Sequence, residues 1–197
     1  MPPHTIDSRR RELILEAAHQ LLKHYGPHKT TVADIARAVG IGTGSVYLEF
    51  PSKDDLIAEL AGRVHEQVIR TVRAAYQNKR GAPVVKLRAA LEARIEAFLR
   101  LHQDGAHSCD LVHCGRTPQS PVWQLFEERE AALFSELIAE GAREGTFLAR
   151  DPRRAAHALL SAYGRFSPPY LFSLAPVELR IQLDAMHDLV LFGLVRR

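Results

Sequence analysis

A short run of small and polar residues follows a glycine-rich turn near residue 40. The run contains Thr43, Gly44, Ser45, Tyr47 and Leu48. Hydroxyl groups reach phosphates or base edges, a missing side chain permits close backbone approach, and a leucine methyl group packs against the methyl group of thymine. These residue types at this spacing indicate contact with the major groove of double-stranded DNA.

A second group of reactive side chains lies between residues 107 and 114, with Cys109, His113 and Cys114 as its central members. Thiolate and imidazole groups are ligands that zinc and copper favour, so the group could bind such a metal or sense oxidants. The spacing matches none of the firm zinc patterns, and a lone cysteine in a small domain commonly serves as an apolar filler. A metal- or redox-sensing regulator therefore remains an alternative, and no cofactor is expected.

Patterns that would indicate an enzyme are missing from the sequence. It contains no nucleophile elbow, no HExxH pair and no phosphate-binding P-loop. The glycines at 40, 42 and 44 lack both the preceding strand and the third glycine spacing of a dinucleotide-binding loop. We therefore do not expect catalytic residues.

The polar run must lie on a helix that buries its other face, and Val46 and Phe50 are suited to that role. The preceding helix is predicted to begin with a capping box over Thr31-Val-Ala-Asp34, in which the threonine and aspartate side chains satisfy backbone N–H groups. Gly40 is predicted to form the turn, and Thr43 to cap the short helix that ends at Pro51. Two short helices joined by a tight turn are expected.

The remaining apolar spacing predicts further helices. Leu13, Ile14, Ala17, Ala18, Leu21, Leu22 and Tyr25 form the apolar stripe of a first helix that stops at Gly26-Pro27. Ser52-Lys-Asp-Asp55 opens a long helix, Asp151-Pro152 opens one that runs to about Ser167, and Pro176 opens the last. We predict an all-α fold of eight to nine helices, with a three-helix helix-turn-helix head over residues 1–52 and a helical effector-binding and dimerisation body over residues 53–197.

The stretch from Thr30 to Lys53 resembles the TetR family of bacterial helix-turn-helix regulators. The resemblance rests on the segments Thr-Thr-Val-Ala-Asp-Ile-Ala, Ala-Val-Gly-Ile, Gly-Ser-Val-Tyr and Phe-Pro-Ser-Lys-Asp-Asp-Leu. It is specific over about residues 8–60. Beyond residue 60 only the number and layout of the helices are similar, so the identity of a ligand does not follow from it.

The resemblance implies roles for individual residues. Thr31 and Lys53 would hold DNA phosphates, and Tyr47 would contact the DNA backbone from the recognition helix. Thr43, Gly44 and Ser45 occupy the positions that read bases in the family. Glu49 departs from the family pattern, because a carboxylate near phosphates is repulsive unless it accepts from a cytosine amino group or a nearby cation.

The resemblance also implies a function and partners. The protein would be a ligand-responsive regulator, most often a repressor in this family. A homodimer would bind a near-palindromic operator with its two recognition helices about 34 Å apart, and a small-molecule effector in the body would release it. The effector pocket would lie among aromatic and polar residues of the central helices, which are otherwise expected to be core. These residues are Phe98, His102, Trp123, Phe126, Tyr163, Phe166 and Tyr170.

Composition and the placement of apolar and charged residues add further expectations. The last two helices are apolar over more than one face, which predicts a four-helix dimer interface. No apolar run approaches the roughly 18 residues that span a bilayer, so a cytoplasmic protein is expected. The net charge is +3, yet residues 1–60 hold seven Lys and Arg against eight Asp and Glu, so DNA binding must rest on the placement of charge.

Two groups of charged residues carry expectations of their own. Arg9, Arg10 and Arg11 are expected either to reach DNA or to form a solvated arm. Glu127, Glu128 and Glu130 are expected to face solvent.

Overall fold

The computed structural model describes residues 4–103 and 121–194. Eight α-helices occur in these ranges, which confirms the predicted all-α class. They are α1 (His4–Tyr25), α2 (Val32–Val39), α3 (Thr43–Glu49), α4 (Lys53–Asn78), α5 (Pro83–Gln103), α6 (Pro121–Arg143), α7 (Pro152–Ala162) and α8 (Pro176–Leu194). Two short 3₁₀ helices, Tyr163–Phe166 and Tyr170–Ser173, lie between α7 and α8.

Local signals account for most of the helix ends. Thr31 and Asp34 form the predicted capping box at the start of α2, and Gly40 ends that helix in the left-handed conformation with φ of 76°. The Ser52 hydroxyl accepts a hydrogen bond from the Asp55 N–H at the start of α4. Asp151 caps α7 by accepting from the N–H of Arg154, and a proline follows it directly.

Two predicted ends were wrong. The N-cap of α3 is Gly42, and Thr43 is the first helical residue with no side-chain cap. The hydroxyl of Thr43 therefore makes no capping hydrogen bond at the start of α3. The helix that opens at Pro152 stops at Ala162, five residues before the predicted end, because the chain tightens there into the 3₁₀ helix Tyr163–Phe166.

The chain divides into two compact units, one of Met1–His65 with Leu101–Trp123 and one of Glu66–Arg100 with Gln124–Arg197. The core of the first unit takes side chains from α1 to α4. Its buried members are Ile14, Leu15, Ala18, Leu22, Ile35, Ala36, Val46, Phe50, Leu56, Ile57 and Leu60. The α1 stripe differs from the prediction in part, since Leu15 is buried, whereas Leu13 and Tyr25 are exposed.

The core of the second unit is rich in aromatic side chains. Phe98, Phe126, Phe134, Tyr163 and Phe166 are all buried there. The predicted domain boundary at residue 52 stays a prediction, since α4 starts at Lys53 and the first unit continues along it to His65. No helix within the described ranges combines the length and apolar character needed to cross a membrane.

Candidate nucleic-acid interface

Helix α3 has one buried face and one exposed face. Val46 and Phe50 are 1% and 2% exposed, whereas Tyr47 is 51% and Leu48 79% exposed. Thr43 and Gly44 are exposed and Ser45 is half-buried. The two anchors thus pack α3 against its support, and the residues predicted to read DNA lie on the rest of the helix surface.

The exposed face of α3 is open at Gly44. A Cβ atom at Gly44 would have no protein atom within 4 Å. Packing within the protein therefore does not require glycine at this position, which leaves close approach to another molecule as a reason for it.

Glu49 does not stand as an isolated carboxylate. Its Oε1 accepts from Arg10 Nε at 2.7 Å, and the Glu49 side chain is only 9% exposed. The backbone oxygen of Glu49 accepts from Arg11 Nη1 at 2.5 Å. The nearby cation that a carboxylate at this position needs is therefore supplied by α1, and Arg10 and Arg11 are not merely a solvated arm.

The Thr31 side chain is exposed, but its hydroxyl already forms hydrogen bonds within the protein. Its hydroxyl donates to Asp34 Oδ2 at 2.6 Å and accepts from the Asp34 N–H at 3.2 Å. The Thr31 hydroxyl and the Thr31 backbone N–H both donate to the Asp34 carboxylate, and these two bonds hold the pKa of Asp34 below its ordinary value. Thr31 thus begins α2 with its side chain on the surface of the first unit.

Lys53 is half-buried at the start of α4. Its ammonium group donates to the backbone oxygens of Pro27 and Thr30 at 2.7 Å and 3.1 Å. An ammonium group has three donors, so these two bonds use part of its capacity. Lys53 thereby ties α4 to the turn between α1 and α2, a contact that the sequence did not indicate.

The residues predicted for an effector pocket fall into both units. Phe98, Phe126, Tyr163 and Phe166 are buried in the second unit, where the rings of Phe98 and Phe126 meet edge to face at 6.3 Å. Trp123 is buried in the first unit, edge-on to His65 at 5.7 Å, and His102 is exposed there. Tyr170 is 65% exposed.

A buried ion pair lies among the second unit's aromatic residues. Arg94 Nε donates to Glu130 Oε1 at 2.6 Å, and Arg94 Nη1 donates to Ser167 Oγ at 2.9 Å. All three side chains are buried, so the expectation that Glu130 faces solvent was wrong. A signal existed in the sequence, because Arg94 and Glu130 occupy positions on the apolar stripes of α5 and α6.

A second buried polar contact joins the 3₁₀ segment to α8. The Tyr163 hydroxyl lies 2.6 Å from Nδ1 of His187. Burial lowers the pKa of His187 and raises that of Tyr163, so both groups are held neutral near pH 7. The sequence pattern did not single out His187, which lies between the apolar residues of the last helix.

The proposed metal ligands Cys109, His113 and Cys114 lie outside the described residues. Within the part of the chain that the structure describes, no cluster of three or more His, Cys, Asp or Glu side chains could hold a metal ion.

Comparison with known proteins is consistent with this geometry. Residues 14–60 match the family described as bacterial regulatory proteins, tetR family, and residues 83–179 match the tetracyclin repressor-like C-terminal domain. The transcriptional regulator TtgR of Pseudomonas putida is 32% identical over 161 residues, which cover 77% of this chain and 75% of TtgR.

Solved structures share the fold. A TetR-family regulator from Mesorhizobium loti superposes with a TM-score of 0.77 at 19% identity, covering 98% of this chain and 100% of the other. SmeT, the repressor of a multidrug efflux pump in Stenotrophomonas maltophilia, was solved in complex with triclosan. It superposes with a TM-score of 0.66 at 22% identity and covers 95% of this chain and 92% of its own. The chain belongs to the TetR family of bacterial transcriptional regulators, which are DNA-binding proteins and not enzymes.

Proposed function

We propose that this protein binds a near-palindromic DNA operator as a homodimer and leaves it when a small-molecule effector binds the second unit. The proposed DNA binding rests on the division of α3 into a face buried by Val46 and Phe50 and an exposed face. On that exposed face, Thr43, Gly44 and Ser45 would read base edges, Tyr47 would contact the backbone and Leu48 a thymine methyl group.

Thr31 and Lys53 would add phosphate contacts at the helix starts of α2 and α4. Thr31 is exposed, and Lys53 uses two donors on the turn between α1 and α2, which leaves one donor of the ammonium for a phosphate oxygen. Both residues would orient the recognition helix without reading sequence.

A homodimer is supported by an apolar stripe on α8. Val177, Ile181, Leu189 and Phe192 are each more than 60% exposed, and at 100° per residue they fall within about 120° of the helix circumference. Glu178 and Asp188 lie within the same arc, so the apolar residues form an interrupted stripe, and this stripe favours burial against a second copy. Within α7 the exposed apolar residues are alanines such as Ala158 and Ala162, which allow close approach of a partner helix.

The effector site would lie among the aromatic residues of the second unit, near the buried Arg94, Glu130 and Ser167 side chains. Apolar walls with a few polar groups are typical of small-molecule sites. SmeT in complex with triclosan makes that chlorinated phenol a reasonable first probe. The effector would lower operator affinity by its preference for the DNA-free conformation.

Selection of bound sites from random DNA tests the proposed operator binding. We expect a palindromic consensus with the unmodified protein, and its loss in the double variant Tyr47→Ala, Lys53→Ala. The matched control is Tyr170→Ala, Lys79→Ala, which removes an exposed tyrosine and an exposed lysine from the second unit. Absence of any enriched site, or equal loss in both variants, would contradict the proposal.

A further inference from the structure

The C-terminal end of the recognition helix receives a donor from α1. Helix α3 has only seven residues, and the last carbonyls of a helix lack partners within it. Phe50 N–H bonds to Val46 O at 2.9 Å, and the Glu49 carbonyl accepts from Arg11 Nη1 at 2.5 Å. An arginine at a helix C-terminus also interacts favourably with the helix dipole.

The same guanidinium has two further contacts. Arg11 Nη2 donates to the carboxylate of Glu59 on α4. The guanidinium carbon lies 4.0 Å from the centroid of the Phe50 ring, which is the last buried anchor of α3. One side chain therefore meets the end of the recognition helix, its anchor and the helix that follows.

We propose that Arg11 is a positioning residue for operator recognition, which sets the orientation of α3 relative to α4. The inference rests on the proposed DNA-binding function. Helix α3 is too short to be stable alone, and its two buried anchors, Val46 and Phe50, lie four residues apart. The planar fork of Arg11 provides a third fixed point, because its two terminal nitrogens reach Glu49 and Glu59 at once.

The competing role for Arg11 is a direct contact with a DNA phosphate. That role depends mainly on positive charge, so lysine would largely replace arginine. The positioning role depends on two donors held in one plane, and lysine presents a single ammonium group. The two roles thus make opposite predictions for Arg11→Lys.

Glu59 provides a second discriminating variant. Removing its negative charge would strengthen a purely electrostatic attraction to DNA. If Arg11 positions α3 through Glu59, the loss of that partner instead weakens operator binding.

Arg63 supplies the matched control. It donates to both carboxylate oxygens of Glu12 at 2.6 Å and to Glu59 at 3.0 Å, so it also joins α1 to α4. These bonds go to α1 and α4 and not to α3. Arg63→Gln removes a similar α1–α4 ion pair and the same charge while leaving the end of α3 unchanged.

The experiment measures affinity for the selected operator as a function of salt for the unmodified protein and four variants, together with thermal unfolding. We expect about a tenfold weakening for Arg11→Gln and Arg11→Lys, a weakening in the same direction for Glu59→Gln, and less than about a twofold change for Arg63→Gln. The slope of log affinity against log salt should stay unchanged in Arg11→Gln, since no phosphate contact is lost.

Several results would overturn the inference: full affinity in Arg11→Lys, a salt slope reduced by about one in Arg11→Gln, stronger binding by Glu59→Gln, or an equal loss in Arg63→Gln. If Arg11→Gln does not fold, Glu59→Gln decides by the sign of its effect. If the unmodified protein selects no operator, the proposed function itself has failed, and this outcome is separate from every variant result.

Discussion

Gly44 lies on the exposed face of α3, where a Cβ atom would meet no protein atom within 4 Å. Replacing it by alanine should therefore stabilise the folded protein by about 0.5–1 kcal/mol, because alanine loses less backbone entropy in a helix. If the backbone approaches DNA at this position, the added methyl group will weaken operator binding. Urea unfolding and an operator titration measure the two effects separately.

The control for Gly44→Ala is Gly62→Ala on α4, where a Cβ also meets no atom within 4 Å. We expect a similar gain in stability and unchanged operator affinity. Equal affinity in both variants would show that DNA does not approach Gly44.

Arg94 and Glu130 form an ion pair in the second unit. Both side chains are buried, so Glu130→Gln would leave an uncompensated buried charge and lower the free energy of unfolding by about 3 kcal/mol. The double variant Arg94→Met, Glu130→Leu should recover most of that loss, because it removes both charges. Urea unfolding checks both values.

Glu96→Gln is the matched control, since Glu96 pairs with Arg100 in the exposed part of the same helix α5. Exposed pairs contribute about 0.5 kcal/mol or less, so little change is expected. A comparable loss in the free energy of unfolding for Glu96→Gln and Glu130→Gln would show that burial does not set the contribution of these ion pairs.

At the scale of the element, the start of α2 depends on the Thr31 side chain. Thr31→Ala removes the acceptor for the Asp34 N–H and should lower the free energy of unfolding by about 1 kcal/mol. Thr31→Ser keeps the hydroxyl and should retain most of the stability. Thermal unfolding compares the two variants, and equal melting temperatures would show that the cap contributes little.

The helix ends show why some elements could be predicted and others not. Caps at Thr31, Ser52 and Asp151 were predicted correctly, because each depends on a side chain and a backbone group within three residues. The end of α7 was not, since Tyr163 and Phe166 tighten into a 3₁₀ turn and both become buried in the second unit. Residues distant in sequence decide that packing.

At the scale of the whole molecule, the apolar stripe of α8 should control association. Ile181→Glu combined with Leu189→Glu places two charges on the stripe and is expected to shift a dimer towards monomer in sedimentation velocity. Leu148→Glu is the control, because Leu148 is as exposed as these residues but lies outside α8. An unchanged sedimentation coefficient in the double variant would place the interface elsewhere.

Stability should also depend on pH through buried histidines. Burial lowers the pKa of His65 from 6.5 to about 4. Between these values the unfolded chain binds a proton that the folded protein does not, so the free energy of unfolding falls as the pH drops from about 6.5 to about 4. The loss from His65 approaches about 3 kcal/mol, and none of it is present above pH 6.5.

Urea unfolding at several pH values tests this dependence. His65→Phe should flatten the profile between pH 6.5 and pH 4. The lowered pKa of His187 adds to the loss in the same direction, so some dependence remains in His65→Phe. A profile that His65→Phe does not alter would show that His65 is not the titrating group.

The all-α class, the two-helix motif around Gly40 and the family could be predicted from the residues alone, because these depend on short-range periodicity, caps and residue types between Thr30 and Lys53. The packing of the helices determines which partners the charged side chains meet. Arg11 with Glu49 and Glu59, Arg94 with Glu130, and Lys53 with the turn at Pro27 are all pairs separated by more than 20 residues. The choice of partners over such distances depends on how helices pack, and no local spacing encodes it.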